Sequence, residues 1–138
     1  LEERLALIKK ADVSFLCLPD SAAREIADAA PAECRILDTS TAHRTDLSWV
    51  YGMPELCPQQ RDMIKESNRV AVPGCHATGV ILLIKPLLEA GIISADYPFS
   101  ATSLTGYSGG GKKMIAQYEA GDRQRGNMGG QDILCSPR

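Results

Sequence analysis

A chain of 138 residues, 44% hydrophobic and 23% charged, has apolar content for one packed domain, or for one domain and part of another. Its 15 Lys and Arg against 17 Asp and Glu give a formal charge of -2, which excludes a basic surface for nucleic acid or anionic lipid and leaves small anions to local sites. Five cysteines with no Cys-x-x-Cys pair, beside only two histidines, give no zinc or other metal spacing and suit a reducing compartment.

The opening residues, LEERLALIKK, are amphipathic and charged, not a basic tip before an apolar block. Leu1, Leu5 and Ile8 recur at helical spacing, and VSFLCL then reads as a buried strand bounded by Pro19. A second helix is predicted over PDSAAREIADAAP, capped by Asp20 or Ser21, with Ala22, Ile26 and Ala29 on one face. CRILDTS is the next strand, ending at Asp38. Helix, strand, helix, strand with short links predicts a parallel sheet wound by helices.

From residue 41 to 69 the pattern weakens into loops around Trp49, Tyr51 and Pro54, with a short helix in CPQQRDMIKESN. RVAV is a short strand, Thr78 to Glu89 a helix bent near Pro86, and Gly91 its stop. YPFSATSLT supplies another strand before GYSGGGKK and the helical KMIAQYEA, while residues 121–138 are polar and Gly-rich and receive no assignment. The long apolar stretch GVILLIKPLLEAGII is broken by Lys85, Pro86 and Glu89, so no membrane span is expected and the chain reads as cytoplasmic. A doubly wound dinucleotide domain usually opens on strand, Gly-x-Gly-x-x-Gly and helix. No such turn precedes the first helix here, so an interior piece of a longer protein is expected.

In parallel sheets ligands collect beyond the carboxyl ends of the strands, where LPDSA, DTSTAHR and VPGCHATG fall. Cys75 follows Pro73, which holds the chain extended, and Gly74, which permits a tight turn. It stands near a helix start whose amides favour a thiolate. A buried structural cysteine is the competing reading, and the one kept for Cys17, Cys34, Cys57 and Cys135. Ser40, Thr41 and Arg44 combine hydroxyls with a planar guanidinium, suited to a phosphate or carboxylate unless the loop is merely solvated. His43 alone reads as a surface or hydrogen-bonded histidine, and His76 is not assumed to partner its neighbour Cys75. Gly106 to Lys112 fits Gly-x-x-x-x-Gly-Lys, but Lys113 stands where Ser or Thr should hold magnesium. An anion nest or a simple flexible turn remains.

LCLPDSAAREI, LDTSTAHR, WVYGMPEL, VPGCHATG and GYSGGGKKMIAQYE, in that order, resemble N-acetyl-gamma-glutamyl-phosphate reductase in its shorter subtype, within the semialdehyde dehydrogenases. The likeness runs over roughly residues 11 to 120. It implies an α/β fold: the C-terminal part of a Rossmann-type NADP-binding domain over 1–74, then the start of a catalytic and dimerisation domain over 75–138. It also implies a homo-oligomer when full length. By resemblance Cys75 is the nucleophile that forms a thioester from the acyl phosphate, and NADPH reduces that thioester to N-acetylglutamate semialdehyde. Ser40 and Arg44 would hold the substrate phosphate, and Leu18, Pro19, Asp20 and Ser21, with Ser108, Gly109 and Gly110, would lie along the cofactor.

Val72 and His76-Ala77 replace the family's usual Asn before Pro73 and Tyr-Pro after Cys75. The family's catalytic histidine and a substrate-binding arginine find no match in residues 121–138, so this piece alone is expected to be inactive. Aspartate-semialdehyde dehydrogenase is the nearest alternative, and a non-catalytic dinucleotide-fold module the alternative of another class.

Overall fold

Acidic Glu2 and Glu3 in the first turn and Lys9 and Lys10 in the last complement the dipole of helix α1 (Glu2–Lys10). Ile8 is its buried residue and Leu5 packs partly beneath it, whereas Leu1 precedes the helix and is exposed. The computed structural model describes residues 1–120 and the backbone of 130–133. It divides into two compact units, residues 1–86 and 87–138.

In the first unit, strand β1 (Ser14–Leu16) is shorter than the apolar run VSFLCL suggests. It lies at one edge of the sheet and alternates, with Leu16 in the core and Phe15 64% exposed on the other face, so continuous hydrophobicity there does not mean burial on both sides. Helix α2 (Asp20–Ala29) starts after Pro19, and neither Asp20 nor Ser21 caps it, because the Asp20 carboxylate turns to another loop. Its buried face is Ala23, Ile26 and Ala27, continued by Ala30, and not Ala22 with Ala29. Alanine pairs at 22–23 and 29–30 left the phase of the stripe ambiguous by one residue.

Strand β2 (Ile36–Asp38) pairs in parallel with β1 on one side and with β4 (Arg69–Ala71) on the other. The two-residue β3 (Val50–Tyr51), read as loop from sequence, pairs with β4, giving the order β1-β2-β4-β3, all parallel. Helix α3 (Gln60–Glu66) links β3 to β4. Leu16, Ala23, Ile26, Ala27, Ala30, Ile36 and Ala42 close the core beside Ile8 and Cys34, with Leu5, Leu18 and Trp49 at its margin. Arg69 fastens the lower edge. Its guanidinium donates to the carbonyls of Ala30 (3.1 Å), Pro31 (2.9 Å), Asn68 (3.2 Å) and Cys34, and lies 6.0 Å from the Trp49 ring. Carbonyls left unpaired at the end of α2 thereby gain a partner.

Helix α4 (Cys75–Glu89) begins three residues earlier than Thr78, with Cys75 itself its first residue, and it runs through Pro86 without ending. Gly91, at φ 66°, stops it: the Gly91 and Ile92 amides return to the carbonyls of Leu88 (3.1 Å) and Leu87 (2.9 Å). In the second unit β5 (Ala101–Leu104) pairs antiparallel with β6 (Gly130–Ile133), which falls in the stretch left unassigned from sequence. A 3-10 turn over Tyr107–Gly110 leads into α5 (Gly111–Glu119). Among the described residues no helix is long and apolar enough to cross a membrane, and no cluster of His, Cys, Asp or Glu could hold a metal.

Ile36 has no exposed surface in the central strand. Ile36→Ala should lower unfolding free energy by about 3 kcal/mol in urea titration. A loss below about 1 kcal/mol would show that the cluster is not close-packed around β2.

Candidate functional site at the carboxyl ends of the strands

All four strands of the first unit are parallel, so their following loops gather at one edge of the sheet. The loop after β2 stitches its neighbours together. Thr39 donates through its amide and its hydroxyl to the carbonyl of Leu16, both at 3.0 Å, and Val72 donates to the Asp38 carbonyl at 2.8 Å. Expected site segments 18–21, 39–44 and 72–75 are thus brought to the same edge.

Asp38 organises this edge. Its side chain is fully buried, and Oδ1 accepts the Ser40 amide at 3.0 Å while Oδ2 accepts the Ser40 hydroxyl at 2.7 Å. The same Oδ2 lies 2.7 Å from His43 Nδ1, in a ring that is itself only 3% exposed. Ser40 Oγ in turn accepts the Ala42 amide at 3.1 Å. His43 stacks on Trp49 with ring centroids 4.0 Å apart and planes 10° from parallel. The reading of His43 as a hydrogen-bonded histidine therefore holds. Its partner Asp38 was missed, although an Asp at a strand end with Ser two and His five residues on was the available signal.

Arg44, half-buried, points the other way from His43. Nε donates to the Val72 carbonyl and Nη2 to that of Thr39, each at 3.0 Å, so one guanidinium ties the loop after β2 to the joint before Cys75. Gly74 is explained by this contact. Its φ is not positive, so turn freedom is not what the position demands; a Cβ there would lie 2.7 Å from Arg44 Nη1. Glycine lets the guanidinium approach the backbone. Beyond it the Thr78 amide and hydroxyl both donate to the Gly74 carbonyl at 2.9 Å, fixing the first turn of α4.

The Cys75 thiol is exposed at this first helical residue, where amides without intrahelical partners face outward. Cys34 is buried, Cys57 is half-buried with its thiol 3.7 Å from Gln60 Oε1, and Cys17 is exposed. Cys135 lies outside the described residues. Ser40 is placed at the edge with its hydroxyl engaged on Asp38, while Arg44 retains N–H groups beyond its two carbonyl bonds.

Asp20 joins the first loop to the second. Its carboxylate accepts the Thr41 amide at 3.0 Å and the Thr41 hydroxyl. That hydroxyl, and then the amide, hold the Asp20 carboxyl below its ordinary value. In the second unit, Gly109 lies against Thr105 Oγ1, and a Cβ on Gly110 would lie 2.5 Å from Met114. Gly106 and Gly111 have open space at that position, and Gly111 has φ 70°. Ser108–Gly110 belongs to the second unit and Cys75 to the first.

An open parallel sheet with polar side chains, a guanidinium and a helix-start thiol collected at its carboxyl edge defines the α/β class in which nucleotide-type ligands bind at that edge. Residues 1–64 match the profile of the semialdehyde dehydrogenase NAD binding domain, and residues 75–128 that of the semialdehyde dehydrogenase dimerisation domain. The chain belongs to the semialdehyde dehydrogenase family. It is 47% identical over 119 residues to N-acetyl-gamma-glutamyl-phosphate reductase 2 of Pseudomonas putida, covering 86% of this chain and 38% of that protein. With N-acetyl-gamma-glutamyl-phosphate reductase of Brucella anthropi it shares 48% over 118 residues, covering 84% and 38%. The chain thus spans less than half the length of these relatives. Aspartate semialdehyde dehydrogenase of Francisella tularensis superposes with a TM-score of 0.61 at 16% identity, over 82% of this chain and 32% of that one. Aspartate semialdehyde dehydrogenase II of Vibrio cholerae gives 0.58 at 18%, over 80% and 32%. At those identities the likeness is one of fold.

Gly74→Ala should displace the Arg44 guanidinium from its two carbonyls and cost about 1–3 kcal/mol in chemical denaturation, whereas Gly79→Ala, with open space around it, should not. An unaltered midpoint for Gly74→Ala would count against the close approach. A second expectation concerns acid. Because the Asp20 value is depressed, the stabilisation is present above the ordinary 3.8 and is lost as pH falls through the folded value. The melting-temperature gap between wild type and Asp20→Asn should therefore be full near about pH 6 and shrink once the pH is taken below 3.8.

Proposed function

We propose that this chain is the cofactor-edge and nucleophile portion of an NADPH-dependent reductase of N-acetylglutamyl phosphate. The names of relatives 47–48% identical along most of the chain support the substrate. Within the chain, one observation carries the chemistry: an exposed thiol on the first residue of α4, at a joint tied by Arg44 to the neighbouring strand end. In this reading residues 1–74 belong to the dinucleotide domain and residues 75–138 to the catalytic and dimerisation domain. The full-length protein assembles as a homo-oligomer in the cytoplasm.

Cys75 sulfur, as thiolate, attacks the acyl carbon; the carbon–oxygen bond to phosphate breaks, and inorganic phosphate leaves with that electron pair. Positive charge from Arg44 offsets the charge on the departing group, and Ser40, whose hydroxyl is held on Asp38, would contribute from the same loop. Reduced NADP, when bound, would supply hydride to the thioester carbon, and Cys75 would leave as thiolate when the carbon–sulfur bond breaks to give the semialdehyde. Leu18 to Ser21 would meet this cofactor at the carboxyl end of β1, and Ser108 to Gly110 elsewhere along it. The fit at the first segment is to hydroxyl groups more than to a pyrophosphate, since Asp20 places a carboxylate at the start of α2. The profile match extends to an NAD binding domain, and the preference for NADPH is part of the proposal.

Two measurements on the chain test the thiol. Iodoacetamide near neutral pH should alkylate Cys75 at least about tenfold faster than Cys17, which is also exposed, by peptide mass spectrometry. Incubation with N-acetylglutamyl phosphate should add one acyl group to Cys75, and none to Cys75→Ser, while aspartyl phosphate should add little. Faster labelling of Cys17, or acylation by aspartyl phosphate alone, would replace this reading.

A further inference from the structure

We propose that His43 is a positioning residue for Arg44, acting through its hold on Asp38 and Trp49; the inference rests on the reading above in which Arg44 receives the substrate phosphate. Residues 43 and 44 are adjacent but serve opposite sides of one loop. The His43 ring goes inward, with Nδ1 2.7 Å from Asp38 Oδ2 and its face 4.0 Å from the Trp49 ring centroid. The Arg44 guanidinium goes along the sheet edge to the carbonyls of Thr39 and Val72.

Both ends of the short loop are thereby fixed to Asp38: Ser40 binds it at the start by amide and hydroxyl, and His43 binds it at the end. Two carbonyl bonds alone leave the guanidinium able to swing with its loop. With His43 clamped between a buried carboxylate and an indole, the Arg44 Cα has one place to be. The guanidinium also lies so close to Gly74 that a Cβ there would sit 2.7 Å from Nη1. His43 does not touch the proposed substrate. Its effect on anion binding is indirect, and a hydrogen bond, more than ring volume, should carry it.

The test uses the 138-residue chain and inorganic phosphate. Nitrogen-15 NMR follows exchange of the Arg44 Nε–H, and emission from Trp49, the sole tryptophan, follows phosphate titration. His43→Phe keeps a flat ring on Trp49 and removes the bond to Asp38. It should speed Arg44 Nε–H exchange and weaken phosphate binding, each about tenfold. His43→Asn, whose amide can take the place of Nδ1, should restore most of both, and His43→Gln, with its amide one methylene further out, should not. Wild-type exchange and affinity in His43→Phe would overturn the proposal. If His43→Phe does not fold, the Asn and Gln variants decide it, equal behaviour of the two being the adverse result. Phosphate that leaves wild type unmoved would refute the phosphate role of Arg44, while the exchange rates would still decide whether His43 positions it.

Discussion

A carboxylate with no exposed surface is costly to bury unless donors surround it, and Asp38 sits in the central pair of the sheet with its donors, among the described residues, coming from those that follow it. Satisfying Asp38 and folding the loop after β2 are therefore the same event. Ser40 and His43 must turn back to the strand end, which leaves Arg44 directed along the sheet edge toward β4 and Thr41 within reach of Asp20. The proposed site is less a set of independent residues than the outer surface of this one compensation.

Secondary links spread the constraint. Thr41 draws the start of α2 to the same loop through Asp20, and Arg44 draws in the joint that precedes Cys75. In this way the loops after β1, β2 and β4 meet without contributing much hydrophobic area of their own. Their order rests on hydrogen bonds to charged groups, each worth about 1.5–3 kcal/mol where shielded from water and less where exposed, as at Asp20. The apolar cluster under α2 provides the platform, and the polar edge uses it.

The alternation of apolar runs with helical spacing made the wound parallel sheet legible, and the Pro-Gly-Cys joint marked the helix-start thiol. Other features were hidden for identifiable reasons. Val50–Tyr51 is too short to show strand periodicity, and β6 is written in Gly130, Gln131 and Asp132, which carry no apolar alternation. The stripe on α2 slipped because alanines adjoin at both ends. Asp38 looked like a strand terminus, since sequence displays a carboxylate but not the donors that fold over it. Gly74 reads in sequence as a turn glycine, but its lack of a side chain matters because Arg44 lies against it.

Arg69 shows that charge is not always what a basic side chain contributes. Its planar fork spans the carbonyls of Ala30, Pro31, Cys34 and Asn68 and lies over Trp49, joining the tail of α2, the approach to β2 and the head of β4 through one side chain. An ammonium has fewer donors, set tetrahedrally around a point, and no flat face to lay on an indole. The position is thus selective between two cations of equal sign, so lysine there would keep the net charge of the chain and still let the lower rim of the sheet come apart.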